Sequence, residues 1–125
     1  MENKTISEEI IRTIKIEADS IHSLLDSLDM DQMVRAVRLI GDCKGRIIVS
    51  GCGTSAMAAK KIVHSLNCIE RPSAFLTPSD AVHGGLGLLQ PDDIFILISK
   101  GGNTEELVRL IPACKAKKAV LIGVT

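Results

Sequence analysis

The sequence predicts an α/β fold, in which helices cover both faces of a parallel sheet in a three-layer αβα sandwich, preceded by a long N-terminal helix. After Gly45 the chain alternates short aliphatic runs with stretches of helical length. The aliphatic runs lack polar alternation, which is typical of strands buried on both faces. The stretches between them have the length of crossover helices, so right-handed βαβ units and a parallel sheet are the simplest arrangement.

Two helices are predicted before the first strand. Between residues 5 and 28 the apolar side chains recur every three or four positions, the period of an amphipathic helix. Thr5, with Glu8 three positions later, has the form of a capping box at the helix start. A shorter helix is predicted from about residue 29 to residue 40, because acidic residues at its start suit the positive end of a helix. The apolar positions of the first helix are Ile6, Ile10, Ile14, Ala18, Ile21, Leu25 and Leu28.

The remaining elements alternate along the chain. Residues 76–90, with Pro78 and three glycines, are predicted to be loop with at most one helical turn. Strands are predicted at residues 46–50, 73–76, 94–98 and 119–124, and helices at residues 55–67 and 104–117.

A single domain over residues 1–125 is expected, with the N-terminal helices in residues 1–41 and the parallel core in residues 45–125. The fourth strand reaches Thr125 with no helix after it to cover its face. Such a strand leaves apolar surface bare, so we expect the C-terminal part of the domain to be missing.

Composition excludes several classes of partner. Fifteen Lys and Arg balance fifteen Asp and Glu, so no net charge attracts the chain to nucleic acid or anionic lipid. Two Phe and no Trp or Tyr provide no aromatic surface for stacking bases. No apolar run approaches the roughly 18 residues of a membrane-spanning helix. We therefore expect a soluble, cytoplasmic protein that binds neither nucleic acid nor a membrane.

The cysteines and histidines lack the spacing of a metal site or a disulfide framework. We expect free thiols in a reducing compartment, no metal and no cofactor. These residues are Cys43, Cys52, Cys68 and Cys114, with His22, His64 and His83.

The first predicted strand ends in a glycine-rich loop, residues 51–55, that leads into a helix. Gly51 and Gly53 permit close approach of the backbone to a ligand, and the helix start offers unpaired N–H groups and positive potential. An anion is expected there, although the same turn also occurs as plain strand-to-helix packing. A dinucleotide is disfavoured, because no acidic residue stands at the end of the second strand to hold a ribose.

The third predicted strand ends in a second loop of the same kind, residues 99–104. In the strand order two-one-three-four, strands one and three are neighbours, so both loops flank one crevice. Their hydroxyl and backbone N–H groups can surround a terminal phosphate without a metal. Lys100 either adds positive charge to this site or is solvated. The hydroxyls are those of Thr54, Ser55, Ser99 and Thr104.

Three stretches resemble the sugar isomerase (SIS) domain: GCGTS at 51–55, FLTPSDAVHGGLG at 75–87 and SKGGNTEEL at 99–107. Within that superfamily the chain is most similar to the arabinose 5-phosphate isomerase group of phosphosugar isomerases, over essentially its whole length. The resemblance implies a flavodoxin-like αβα sandwich with a five-stranded parallel sheet, of which the fifth strand and the later helices are expected to be absent from this sequence. It also implies aldose–ketose isomerisation of a sugar phosphate, which requires a base and a group that handles the oxygens.

By this resemblance Ser55, Ser99 and Thr104 hold the phosphate, and His83 reaches the sugar. Glu106 matches the position of a catalytically relevant glutamate, although, standing three residues after Asn103, it also fits a capping box. The remaining positions of the implied phosphate site are Gly51, Gly53, Thr54, Gly101, Gly102 and Asn103.

Two classes of function remain open from the sequence. Thr54 and Gly101 stand where those isomerases usually have Lys and Ser, and Gly85 replaces their usual Asp. Thr54 and Gly101 favour a non-catalytic, sugar-phosphate-binding regulatory domain. Glu106 and His83 favour the isomerase.

The first helix also predicts self-association. Ile11 and Leu24 widen its apolar face beyond what one sheet needs as cover, so part of it is expected to pack on a second subunit. The resemblance implies the same, because sites of the family commonly include a residue from a neighbouring subunit. A homodimer or homotetramer is expected.

Overall fold

The computed structural model describes residues 3–125 of the chain. Its strands are β1 (Ile47–Gly51), β2 (Ser73–Phe75), β3 (Ile94–Ile98) and β4 (Val120–Val124). Its helices are α1 (Asn3–Ser27), α2 (Met30–Asp42), α3 (Gly53–Cys68), α4 (Pro78–Val82), α5 (Glu105–Val108) and α6 (Ile111–Ala116), with a 3₁₀ turn at Gly85–Leu88. The strands form one parallel sheet in the order β2-β1-β3-β4, which confirms the predicted order two-one-three-four.

The chain divides into two units, of which the first reaches Arg35 and the second runs from Ala36 to Thr125. The sheet lies wholly in the second unit. The predicted single domain over the full 125 residues stays a prediction. Within residues 3–125 no helix combines the length and the apolar character that crossing a membrane requires.

The N-terminal helices differ from the prediction at one end. Because α1 begins at Asn3, Thr5 lies inside the helix, and the predicted capping box at Thr5 is wrong. A capping residue needs non-helical backbone ahead of the first turn. The start of α2 follows the expected chemistry: Asp29 Oδ1 accepts a hydrogen bond from the Gln32 backbone N–H at 3.0 Å. That bond is the largest cause of the lowered pKa of the Asp29 carboxyl.

The register of β1 against β3 sets the geometry of the sheet. The two strands pair over their whole length, from Ile47 opposite Ile94 to Gly51 opposite Ile98. β4 pairs with β3 in the same way, and β2 pairs with the first three residues of β1. Because β1 and β3 end at the same level, the loops that follow them leave the sheet side by side.

The sheet has an apolar cluster on each face. One cluster, here called the α3 cluster, includes Ala59 of α3 and consists of Ile47, Val49, Ala59, Ile94 and Ile96. The other, here called the α4–α6 cluster, includes residues of the three short helices. It consists of Ile48, Leu76, Ala81, Leu89, Phe95, Leu97, Leu107, Leu110 and Cys114. The two clusters confirm the predicted three layers, since both faces of the sheet are covered.

The predicted helix over residues 104–117 is wrong as a single element, because the structure has two short helices there, α5 and α6. Pro112 explains the break. Proline has no N–H to donate, and its ring clashes with the carbonyl of the residue four positions earlier, which is Val108, the last residue of α5. At the break the backbone hydrogen bond spans three residues instead of the four of an α-helix, because the Leu110 N–H donates to the Leu107 carbonyl.

A buried carboxylate ties the amino ends of β1 and β3 together. Asp93 is buried, and its carboxylate accepts hydrogen bonds from the backbone N–H groups of Arg46 at 2.7 Å and Gln90 at 2.8 Å. The Arg46 guanidinium lies 3.3 Å from the same carboxylate. Gly45 permits this approach, because a Cβ there would lie 2.5 Å from both the Asp92 carbonyl oxygen and Asp93 Oδ1.

Replacing Asp93 with alanine is expected to lower the free energy of unfolding by about 1–3 kcal/mol, since it leaves two backbone donors without their acceptor. Urea denaturation measures the change. The matched control is Glu105→Ala, which removes an exposed carboxylate paired with Arg109 and is expected to cost less than about 1 kcal/mol. Equal losses in the two variants would contradict the role given to Asp93.

Candidate functional site

In the loop after β1, the backbone of Gly51 lies close to the backbone of Ser55. A Cβ on Gly51 would lie 2.9 Å from the carbonyl carbon and oxygen of Ser55, so only glycine fits there without displacement. Gly53, the first residue of α3, has a φ of +54°, the left-handed region that favours glycine. Cys52 precedes the helix in an extended conformation and provides no side-chain cap. The first turn of α3 therefore keeps N–H groups for an anion.

The loop after β3 is organised by a pair of hydroxyls. Ser99 is buried, and its Oγ lies 2.8 Å from Oγ1 of Thr104. Between them the chain makes a turn, in which the Gly102 N–H donates to the Ser99 carbonyl at 3.2 Å and Gly102 has a φ of +70°. Ser99 N–H donates to the Val124 carbonyl at 2.9 Å, which fixes the loop to β4.

The remaining predicted phosphate residues differ in exposure. Ser55 is half-buried, as are Thr104 and Gly102. Gly53 and Thr54 of the first loop are exposed, and so are Lys100, Gly101 and Asn103 of the second.

The two loops share one electrostatic environment. Burial raises the pKa of the Cys52 thiol, and the negative charge of Glu106 raises it further. Cys52 belongs to the first loop, whereas Glu106 lies in the helix after the second. Cys52 also packs against the α4–α6 cluster, to which Leu107 belongs. The carboxylate and the first loop therefore lie at the same carboxyl edge of the sheet, and the space between the two loops at this edge is here called the cleft.

Within the described part of the chain, the Glu106 side chain makes no hydrogen bond or ion pair that would occupy it. The cap residue of α5 is Thr104, and it makes no side-chain cap bond, so the alternative of a capping box between Asn103 and Glu106 is wrong. Glu105 pairs with Arg109 on the exposed side of the helix, as expected for residues four apart. Among residues 3–125 no ion pair involves Glu106, whose side chain is exposed.

His83 stands at the end of α4, exposed, on the side of the sheet that α5 also covers. Thr77 caps α4 by accepting a hydrogen bond from the Asp80 N–H at 3.0 Å. The His83 N–H then donates to the Asp80 carbonyl at 3.1 Å. A Cβ on Gly85 would lie 2.6 Å from that same carbonyl oxygen, which explains why glycine stands at residue 85 in this chain.

Two residues next to the predicted site are not part of that prediction. The sequence predicts Cys52 only as a free thiol, although its place between two site glycines is a visible signal. Ser50 is wholly buried at the end of β1, and its only sequence signal is a hydroxyl within an otherwise aliphatic strand. Within the described part of the chain no three His, Cys, Asp or Glu side chains group as metal ligands would.

Comparison with known proteins gives consistent matches. A model of the SIS domain family matches residues 39–125. Arabinose 5-phosphate isomerase KpsF of Escherichia coli O6:H1 is 37% identical over 114 residues, which are 91% of this chain and 35% of that protein. The chain thus spans about a third of the length of this curated relative.

Two solved structures match in fold and sequence. A protein of Listeria monocytogenes, provisionally named a sugar-phosphate isomerase, is 58% identical with a TM-score of 0.97, over 100% of this chain and 65% of that one. An Escherichia coli CFT073 protein solved in complex with arabinose 5-phosphate is 28% identical with a TM-score of 0.91, over 98% of this chain and 65% of that one.

The approach of Glu106 to Cys52 can be tested by thiol chemistry. Glu106→Gln removes a negative charge that raises the pKa of the Cys52 thiol. The pKa is then expected to fall, the thiolate fraction at about pH 8 to rise, and alkylation of Cys52 to accelerate. Iodoacetamide labelling followed by peptide mass spectrometry measures the rate.

The matched control for this test is Glu105→Gln, in which the neighbouring carboxylate is removed and the Cys52 rate is expected to stay unchanged. An equal acceleration in both variants, or none in Glu106→Gln, would show that Glu106 does not face the first loop.

Proposed function

The chain belongs to the SIS domain family, and from this premise we propose that it is a phosphosugar isomerase, with arabinose 5-phosphate as the first candidate substrate. One observation supports this proposal most directly: two glycine- and hydroxyl-rich loops leave the same sheet edge side by side. The negative charge of Glu106 raises the pKa of the Cys52 thiol in the first of these loops. Such a cleft offers hydrogen-bond donors for a phosphate beside a group that can accept a proton. The relatives named above support the choice of substrate.

The phosphate end of the substrate is assigned to the two loops. The first turn of α3 offers N–H groups without a competing side-chain cap, and Ser55 lies in that turn. Ser99 and Thr104 contribute the hydroxyl pair of the second loop. Helix N–H groups and neutral hydroxyls bind phosphate without a metal. Backbone or side-chain contacts are assigned to Gly51, Gly53, Thr54, Gly101, Gly102 and Asn103.

The sugar end is assigned to Glu106 and His83. In the forward direction the Glu106 carboxylate removes the proton on C2 of the aldose, and the His83 ring gives a proton to the carbonyl oxygen on C1. The product of this step is an enediol. Glu106 then returns its proton to C1 while the C2 hydroxyl gives its proton to His83, which yields the ketose and restores both side chains. A base and an oxygen-handling group are the minimum for this reaction.

The alternative is a regulatory domain that binds the sugar phosphate without converting it. It is supported by Thr54 and Gly101, which stand where the related isomerases usually have Lys and Ser. Lys100 is then the only cation in the two loops, residues 51–55 and 99–104. Binding and turnover separate the two functions.

Self-association is proposed on the basis of α1. Its apolar side chains are exposed, with Ile10 at 55%, Ile14 at 62% and Ile21 at 67%. Apolar patches of this kind commonly mark interfaces between proteins. A homodimer or homotetramer with α1 at the interface is the proposed assembly.

The substrate assignment predicts a split between two groups of variants. Ser55→Ala and Thr104→Ala are each expected to weaken binding of arabinose 5-phosphate by about 1–3 kcal/mol, since each removes a phosphate donor. Glu106→Gln is expected to keep binding and to lose turnover, because a neutral amide cannot accept the C2 proton. Calorimetry measures the binding, and a panel of pentose and hexose phosphates measures the turnover.

Ser79→Ala, which removes an exposed hydroxyl on α4, serves as the control and is expected to match the wild type in both assays. Wild-type affinity in both Ser55→Ala and Thr104→Ala would place the phosphate elsewhere. Tight binding with no turnover of any sugar phosphate by the wild type would favour the regulatory alternative.

The assembly assignment is tested by light scattering. Ile10→Glu and Ile21→Glu each bury a charge in the proposed interface and are expected to reduce the mass to that of a monomer. Ser23→Glu changes the opposite side of α1 and is expected to leave the mass unchanged. A wild-type monomer with full activity at micromolar concentration would contradict the assembly.

A further inference from the structure

The side chains of His64 and Cys68 meet on the exposed side of α3. The two residues are four positions apart, so they lie on one face of the helix, one turn from each other. The Cys68 Sγ is 3.7 Å from the His64 Nε2, and both residues are exposed. Within residues 3–125 neither side chain forms another hydrogen bond or an ion pair. A thiol and an imidazole nitrogen therefore face each other within reach of solvent.

The distance between these two atoms fits a tetrahedral metal ion bound to both. Zinc binds a thiolate sulfur at about 2.3 Å and an imidazole nitrogen at about 2.1 Å. At the tetrahedral angle, these two bonds place sulfur and nitrogen about 3.6 Å apart. An ion can therefore bind Cys68 and His64 together without a change in the backbone of α3, in place of the thiol proton.

The ligand types and their spacing are also those that zinc uses in proteins. Thiolate sulfur and imidazole nitrogen are both zinc ligands. Two ligands four positions apart on one helix bind a single ion in the H-E-x-x-H motif of metalloproteases. The expectation of no metal from the sequence depends on the lack of a framework that supplies all the ligands of an ion. A chelate of two side chains on one helix needs no such framework.

The charges around the pair suit a cation. The last turn of α3 has no basic side chain, and its carbonyl groups give this end of the helix a partial negative charge. Glu70 and Arg71 follow the helix with opposite charges. Lys60 and Lys61 precede the pair by one turn. Of these two, Lys60 is engaged with the Phe75 ring, whose centroid lies 5.1 Å from the lysine Nζ.

We propose that His64 and Cys68 form a surface chelate for one divalent ion of the zinc type, with water in the two remaining coordination positions. The sulfur binds as thiolate, so the thiol proton passes to solvent when the ion binds. The ion joins the last two turns of α3 and stabilises the folded chain by mass action. The phosphate is assigned to the opposite end of this helix, so the inference does not depend on the proposed function.

Titration of the reduced full chain with Co²⁺ measures the site, because thiolate-bound Co²⁺ has a charge-transfer absorption that added zinc removes. The wild type is expected to bind one ion per chain and to show this absorption. His64→Ala and Cys68→Ser are each expected to weaken binding at least about tenfold, since the loss of even an outer-shell partner costs about 10–100-fold. Cys68→Ser is also expected to lose the absorption. Both positions are exposed, so the melting temperatures without metal are expected to stay unchanged.

The matched control exchanges two side chains, by Lys61→His together with His64→Lys. Composition and net charge stay the same, but the imidazole then lies seven residues from Cys68, about 10 Å along the helix axis. This variant is expected to bind Co²⁺ as weakly as His64→Ala, and zinc is expected to raise the melting temperature of the wild type but not of this variant. Cys52→Ser, which removes the thiol of the first loop, is expected to keep the binding and the absorption of the wild type.

Three results would overturn the chelate. One is wild-type affinity in the variant with Lys61 and His64 exchanged. Another is an absorption that Cys52→Ser removes and Cys68→Ser keeps, which would place the ion at the first loop. The third is a wild type that shows no thiolate-bound Co²⁺, or that binds one ion for every two chains.

Discussion

The register between the two central strands is the constraint on which the site depends. Ile47 pairs with Ile94 and Gly51 with Ile98, so β1 and β3 start and end at the same levels. Both glycine-rich loops consequently begin at one height on one edge. A shift of one residue in this register would move one loop relative to the other and would turn the side chains of a strand to the opposite face.

The two edges of the sheet differ in how their polar groups are paired. At the amino edge, Asp93 is buried and satisfied by backbone donors and by Arg46. At the carboxyl edge the first turn of α3 has no side-chain cap, and the Ser50 hydroxyl has no partner within residues 3–125. Unsatisfied groups lower stability where they occur. The carboxyl edge also has paired groups, since Ser99 Oγ lies 2.8 Å from Thr104 Oγ1 and Thr77 caps α4, so the unpaired groups named here belong to β1 and the loop that follows it.

The proposed cleft holds a phosphate with neutral groups and places a carboxylate near it. Glu106 raises the pKa of the Cys52 thiol, so its negative charge is felt at the first loop. A phosphate dianion and this carboxylate repel each other at short range. In the proposed site α3 covers one face of the sheet and supplies its N-terminus, whereas α5 covers the other face and supplies both Thr104, at its N-cap, and Glu106.

The sequence by itself determined the order of the elements, the strand order, the family and the two loops. These follow from local signals: aliphatic runs set strands, and glycines and hydroxyls mark the turns after them. The break between α5 and α6 is also encoded locally, by Pro112, although apolar periodicity alone predicts one continuous helix there. Only the tertiary structure decided which distant groups meet. Asp93 accepts a hydrogen bond from the Arg46 N–H, 47 residues earlier in the chain, and the charge of Glu106 raises the pKa of the Cys52 thiol. Both effects arise because strand register and helix packing fix distances that periodicity along the chain does not encode. The isolation of the Ser50 hydroxyl has the same origin, since hydrogen-bond partners depend on what packs above a strand.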